Sequence, residues 1–194
     1  MSENEWTNSI SDLLSIELKK NSLLCKTLVK LPYSQEILKY EDDFNWAPSK
    51  EESTRFETDL VIYEKDGDGI KPRVIVEAKL DRVTTHDAIT YSYKAEKHKN
   101  ITPYLRYGIM IGNREHYPLP GRLYRHGTHF DFMFSFSGLK PTEEEWKTFV
   151  EMINREVEYS RLFEEMLHES RNPNRKHYYM LEKQLVLKEF NCKK

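Results

Sequence analysis

The sequence predicts a mixed α/β domain in which helices flank a small sheet. Three observations carry this. A strand–turn–strand unit occupies 56–80, a second buried apolar run follows at 106–113, and helix-like segments lie before, between and after them. The 194 residues suit one compact domain over 1–194, with its core at about 8–137 and a C-terminal helical extension at about 141–190. Charged residues are 32% and hydrophobic ones 38%, but twelve Tyr, nine Phe and three Trp supply enough burial to exclude a disordered chain.

Element by element, apolar residues recur at Ile10, Leu13, Leu14, Leu18, Leu24, Cys25 and Leu28, which predicts a first helix over 7–30. Thr7 or Asn8 would cap it and Pro32 would end it. Residues 33–41 read as a second short helix, and 42–54 as a charged loop. FETDLVIYE at 56–64 is a strand, KDGDG at 65–69 a turn, and PRVIVEAKL at 72–80 a central strand with a continuous apolar run. Residues 84–99 form a helix with one small face (Ala88, Ile89, Ser92, Ala95) and one polar face (His86, Thr90, Lys94, Lys97). RYGIMIGN at 106–113 is another buried strand, and 114–128 a basic loop. HFDFMFSFS at 129–137 alternates, so Phe130, Phe132, Phe134 and Phe136 are expected to share one face. Thr142 and Glu145 make a capping box for a long helix to about Ser170, and Pro173 separates it from a last helix over about 174–190.

Several function classes drop out. No apolar run approaches the roughly 18–20 residues that span a bilayer, and the acidic, polar start is not expected to be a signal peptide. Cys25 and Cys192 fit no zinc spacing, so a reducing cytoplasm is expected. No phosphate-binding glycine loop, HExxH or GxSxG element occurs. Net charge is −2, but it is unevenly spread. Residues 71–130 hold eleven Lys/Arg against five acids, a balance of +6, and five of the seven histidines. Residues 1–60 hold seven Lys/Arg against twelve acids, a balance of −5. A basic centre in an acidic chain suits a local polyanion groove or a solvated patch of surface charge.

Chemistry-bearing residues stand on the apolar strands. Side chains two apart project to one face, so Glu77 and Lys79 point together while Ala78 offers its backbone carbonyl. Asp59 lies on the preceding strand and can meet them across the hairpin. Two carboxylates and an ammonium on such strands need mutual pairing or a metal ion. The plainer alternative is a strand-end salt bridge between Glu77 and Lys79.

Asp59 followed by Glu77-Ala78-Lys79 on a second strand resembles the PD-(D/E)xK signature of the restriction-endonuclease-like nucleases. Thr58 stands where the name-giving Pro would be. The resemblance covers roughly 8–137 and implies an α-β-β-β-α-β core. It also implies Mg²⁺, with Mn²⁺ able to substitute, held by Asp59, Glu77 and the Ala78 carbonyl, and Lys79 positioning or activating the attacking water. At 100° per residue Glu17 falls at the centre of the apolar stripe, between Leu13/Leu14 and Asn21/Leu24, or tips to solvent at its edge. The resemblance implies a further helix-one acid near the metal, for which Glu17 is the candidate, with Glu36 and Glu41 as weaker substitutes. His86 and Lys94 on the following helix are candidates for the scissile phosphate, with the solvated basic face as the alternative, and Lys97 is a candidate for DNA binding. Arg114, His116, Arg122, Arg125 and His126 are candidates for contacts to DNA. The implied activity is a Mg²⁺-dependent DNA endonuclease, restriction-like, for which cutting both strands would favour a homodimer through the helix at 142–170. A non-catalytic binding module on the same fold and an RNA-directed nuclease are the alternatives.

Overall fold

The computed structural model describes residues 1–114, 119–176, 180–182 and 186. A capping box starts the first helix, α1 (Glu3–Leu18). The Ser2 hydroxyl accepts from the Glu5 amide at 3.2 Å, and the Glu5 carboxylate accepts from the Ser2 amide at 2.7 Å. Trp6, Ile10, Leu14 and Leu18 recur at one face and are all fully buried. The predicted caps Thr7 and Asn8 therefore lie inside the helix.

The helix stops twelve residues earlier than expected. A single 3-10 turn (Lys19–Asn21) follows, Ser22 adopts a left-handed φ of 58°, and β1 (Leu24–Tyr40) begins. Leu24, Cys25 and Leu28 continued the helical spacing by coincidence. The segment instead pairs along its length with β2 (Pro48–Asp66), from Leu24 opposite Tyr63 to Tyr40 opposite Pro48. Residues 33–41 are thus mostly strand, not helix, and the loop expected over 42–54 shrinks to the tip of a long hairpin. Pro32 fits because β1 is an edge strand and its register shifts between Pro32 and Ser34.

β3 (Gly69–Leu80) pairs antiparallel with β2, from Asp66 opposite Gly69 to Leu60 opposite Val76. Helix α2 (Thr85–Ile101), capped by Thr84 and Asp87, leads to β4 (Arg106–Gly112), parallel to β3. A short helix α3 (Gly121–His126) stands inside the region expected to be loop, and β5 (Phe132–Ser135) adds a second parallel edge. The capping box at Thr142 and Glu145 opens α4 (Glu143–Arg171) as expected. His116, Cys192 and most of the helix expected at 174–190 lie outside the described residues.

The result is a five-stranded mixed sheet in the order β1-β2-β3-β4-β5. The succession α1-β1-β2-β3-α2-β4 is the core that the resemblance implies, with β1 supplying the third strand. On one face, α1 and α4 bury Trp6, Phe149 and Ile153 against Leu60, Val76, Met110 and Phe134. On the other, α2 and α3 cover Val61, Ile75, Tyr107 and Ile109. Phe132, Phe134 and Phe136 share the first face, but Phe130 precedes β5 and packs with Tyr107 on the second. Among the described residues no helix is long and apolar enough to cross a membrane.

Candidate active site

β2 and β3 part company beyond the Leu60–Val76 pair, and Asp59 and Glu77 stand where the ladder opens. The Asp59 carboxylate takes over the lost backbone bond, since its Oδ2 accepts from the Ala78 amide at 2.7 Å. A residue's N–H and C=O leave a strand on the same edge. The Ala78 carbonyl therefore faces the same fork. Opposite Asp59, β1 is distorted: Leu28, between the pairs Thr27–Leu60 and Val29–Thr58, has a φ of 54°. A bulky residue in that region marks strain, which concentrates at functional sites.

Asp59, Glu77 and Lys79 lie on the α2 side of the sheet, in line with Val61 and Ile75. Glu77 is wholly buried, and its Oε1 accepts from the Tyr107 hydroxyl on β4. Lys94 of α2 lies 3.5 Å from that same oxygen and donates to the Glu57 carbonyl at 3.0 Å. Its ammonium also sits over the rings of Tyr91 and Phe56, at 5.1 and 5.8 Å. Glu77 Oε2 is buried without a hydrogen-bond partner. Burial and the neighbouring Asp59 carboxylate push the Glu77 pKa up to about 8, against the pull of Lys94 and Tyr107. Two carboxylates crowded at a fork, one with an orphaned buried oxygen, are a donor set that a hard divalent cation fits. Among the described residues no group of three or more His, Cys, Asp or Glu side chains could share a metal ion, so the fork offers two carboxylates and a carbonyl.

Lys79 lies one pleat beyond Glu77, at the end of β3. Its ammonium is 3.2 Å from Glu3 Oε1 and 5.4 Å from the centre of the Tyr91 ring. Burial opposes its charge, but hydrogen bonds to Tyr91 and Glu3 outweigh it and raise the lysine pKa. Burial likewise lifts the Tyr91 hydroxyl to about 12, so it stays protonated.

Glu3 also accepts from the Leu80 amide at 3.3 Å, so it, and not Glu17, is the helix-one acid at the site. Glu17 lies fourteen residues further along α1, about 21 Å away at 1.5 Å per residue. There it pairs with Lys20 at 2.7 Å. The apolar stripe placed Glu17 at its centre only because the helix was carried seven residues into β1. Glu36 and Glu41 are exposed on the hairpin arm, also away from the fork. Of the α2 candidates, Lys94 turns into the site, His86 is exposed in the first turn, and Lys97 lies over Tyr93 outside it. Ile89, expected on the packing face, is 51% exposed. Glu3, Tyr91 and Tyr107 were missed. Ser2 and Glu5, a capping box at the start of the chain, were the available signal for Glu3.

The basic centre is largely spent within the fold. Lys71 and Arg73 pair with Glu164, Lys79 with Glu3, Lys94 with Glu77, and Lys99 and Arg106 with Asp131. Arg114 donates to the Asp81 carbonyl at 2.7 Å. Among the described residues Arg82, Lys97, Arg122 and Arg125 form no ion pair.

The chain resembles a restriction endonuclease of known structure. That protein is the pre-specific restriction endonuclease BsaWI, solved with DNA. The superposition has a TM-score of 0.44 at 12% identity, over 80% of this chain and 61% of BsaWI. This chain thus spans less than two thirds of BsaWI's length. No protein-family model matches the chain, and no curated protein matches it.

Proposed function

We propose that the chain is a divalent-metal-dependent nuclease that hydrolyses DNA phosphodiesters in the manner of a restriction endonuclease. The observation that carries this is the fork between β2 and β3. It brings Asp59 against a wholly buried Glu77 that has an unpartnered oxygen, with Lys79 one pleat away. Asp59, Glu77 and the Ala78 carbonyl would hold Mg²⁺, or Mn²⁺ in its place. Such a cation neutralises charge on a phosphodiester and readies a water for attack.

The chain's own groups do the rest. Lys79 is tethered by Glu3 and Tyr91 and keeps its proton, so it donates a hydrogen bond to the attacking water or the developing phosphate charge. It does not act as a base. Lys94 is the second cation at the site, 3.5 Å from Glu77 Oε1. Tyr107 fixes one Glu77 oxygen and leaves the other toward the fork. His86, Lys97, Arg114, Arg122 and Arg125 would contact the DNA outside the reacting centre.

The test is incubation of the full chain with plasmid, single-stranded DNA and RNA, with and without Mg²⁺ or Mn²⁺. Metal-dependent cutting of plasmid, lost in Asp59→Ala and in Glu77→Gln, is expected. No cutting of any substrate by the parent chain would overturn the proposal, and cutting of RNA alone would replace its substrate. Calorimetry is the second arm: equal divalent-ion binding by parent and Asp59→Ala would remove the metal assignment.

A further inference from the structure

The distal part of the β1–β2 hairpin projects beyond the rest of the sheet. β3 pairs with β2 only as far as Leu60, while the hairpin continues to Tyr40 and Pro48. Residues 35–46 and 48–55 are exposed throughout. At the tip stand Phe44, 93% exposed, and Trp46, 68% exposed, the latter packed edge-on against Tyr40 with ring centres 5.6 Å apart. The tip is built: Asp42 Oδ1 accepts from the amides of Phe44 and Asn45 at 2.9 and 2.7 Å, and the Glu41 amide bonds the Ala47 carbonyl at 2.9 Å. Three aromatics held in water on a preformed turn are costly unless something covers them.

Charge selects the kind of cover. Residues 35–53 carry six acids and two lysines, a balance of −4, with Glu41, Asp42 and Asp43 beside the aromatics. A two-stranded ribbon fits the DNA major groove in shape, but this one would meet the phosphates with like charge. The complementary surface is on this chain. Ile89, Tyr93 and Lys97 recur at four-residue spacing along the outer face of α2, with Ile89 51% and Tyr93 49% exposed. Between α2 and α3 a shallow recess of about 290 Å³ is lined by Ile89, Tyr93, Arg125, His126 and His129, with Glu96 as an acid in the same lining. Arg125 makes no ion pair there.

We infer that the aromatic tip of the hairpin arm docks in the α2–α3 recess of a second copy of this chain, its acids facing Arg125 and Lys97, cations outside ion pairs among the described residues. Reciprocal docking follows, because a two-fold pair repeats the contact on both sides. The area supports it. Three aromatics at these exposures offer roughly 400 Å² per arm, since such side chains bury about 150–250 Å² each. Two arms and two recesses together bury on the order of 1,600 Å², the size of a stable interface, whereas one arm alone gives half.

The test is sedimentation equilibrium of the full chain from micromolar to hundred-micromolar concentration. A reversible dimer is expected. F44S/W46S should weaken it at least about tenfold without changing the melting temperature, since both side chains are exposed. R125E alone and D43K alone should each weaken it, and the combined charge-swapped protein should recover part of the loss. DNA affinity of isolated monomeric F44S/W46S should be unchanged. A monomer at every concentration, a dimer indifferent to F44S/W46S, or no recovery on charge swapping would each overturn the inference. A loss of DNA affinity in F44S/W46S with unchanged mass would reassign the tip to DNA.

Discussion

Replacing Glu77 by Gln isolates the electrostatics of the fork. The amide has the same shape, still accepts from Tyr107, and cannot ionise. The Glu77 carboxyl is raised from 4.5 to about 8, first by burial and then by Asp59. In the unfolded chain it titrates near its ordinary value. Below pH 4.5 both states are protonated and nothing is lost. Between pH 4.5 and 8 the unfolded chain gives up a proton that the folded one keeps, so stability falls as pH rises. Above pH 8 the cost is complete. At 1.36 kcal/mol per unit, the fall between pH 5 and pH 8 amounts to about 3 kcal/mol. For a domain of this size that is about 6–12 °C in melting temperature. The assay is thermal unfolding from pH 5 to 9 in chelator, parent against Glu77→Gln. The two proteins should be closest at pH 5, and the variant should be increasingly the more stable toward pH 8. Parallel profiles across the range would refute the crowded-carboxylate account of the site.

The same proton gives a second expectation: divalent-ion binding at pH 7 should release close to one proton, seen as a dependence of the calorimetric heat on buffer ionisation enthalpy, and affinity should rise with pH up to about 8. Lys79→Ala should lower the cleavage rate about 10²–10³-fold with little change in divalent-ion affinity; full specific activity with only a lowered melting temperature would assign Lys79 a structural role. With four cations of the basic centre outside ion pairs among the described residues, the log–log salt slope of DNA affinity should be about −4, and a slope near −10 would mean that the internal ion pairs open on binding. Gly108→Ala should destabilise by about 1–3 kcal/mol in urea unfolding, because a methyl group there meets the Phe132 ring on the neighbouring strand.

The elements legible in the sequence were those whose signal is local. The hairpin of β2 and β3 announced itself through β-branched runs and the KDGDG turn, and α4 through Thr142 and Glu145. β1 was hidden because Leu24, Cys25 and Leu28 keep step with α1, and nothing within 24–40 reveals the partner strand at 48–66. Pairing with β2 overrides the local pattern. The left-handed Ser22 was no better a warning, since a serine there carries none of the signal a glycine would.

The site divides along the same line. Asp59, Glu77 and Lys79 share one hairpin, so strand parity alone aligns them on one face. The groups that set their charge come from elsewhere: Glu3 from the start of α1, Tyr91 and Lys94 from α2, Tyr107 from β4. None of these has a recognisable spacing to Glu77, because each is fixed by packing across the sheet and not along the chain. The acid of helix one shows the consequence. Helical phase alone selected Glu17, which is half-buried and pairs with Lys20, whereas the true start of α1 selects Glu3. If Glu3 holds Lys79 only through charge, Glu3→Gln should keep the Leu80 contact and the fold while loosening the lysine, so cleavage should fall with an unchanged melting temperature. Loss of the fold in Glu3→Gln would instead make Glu3 a structural clamp between α1 and β3.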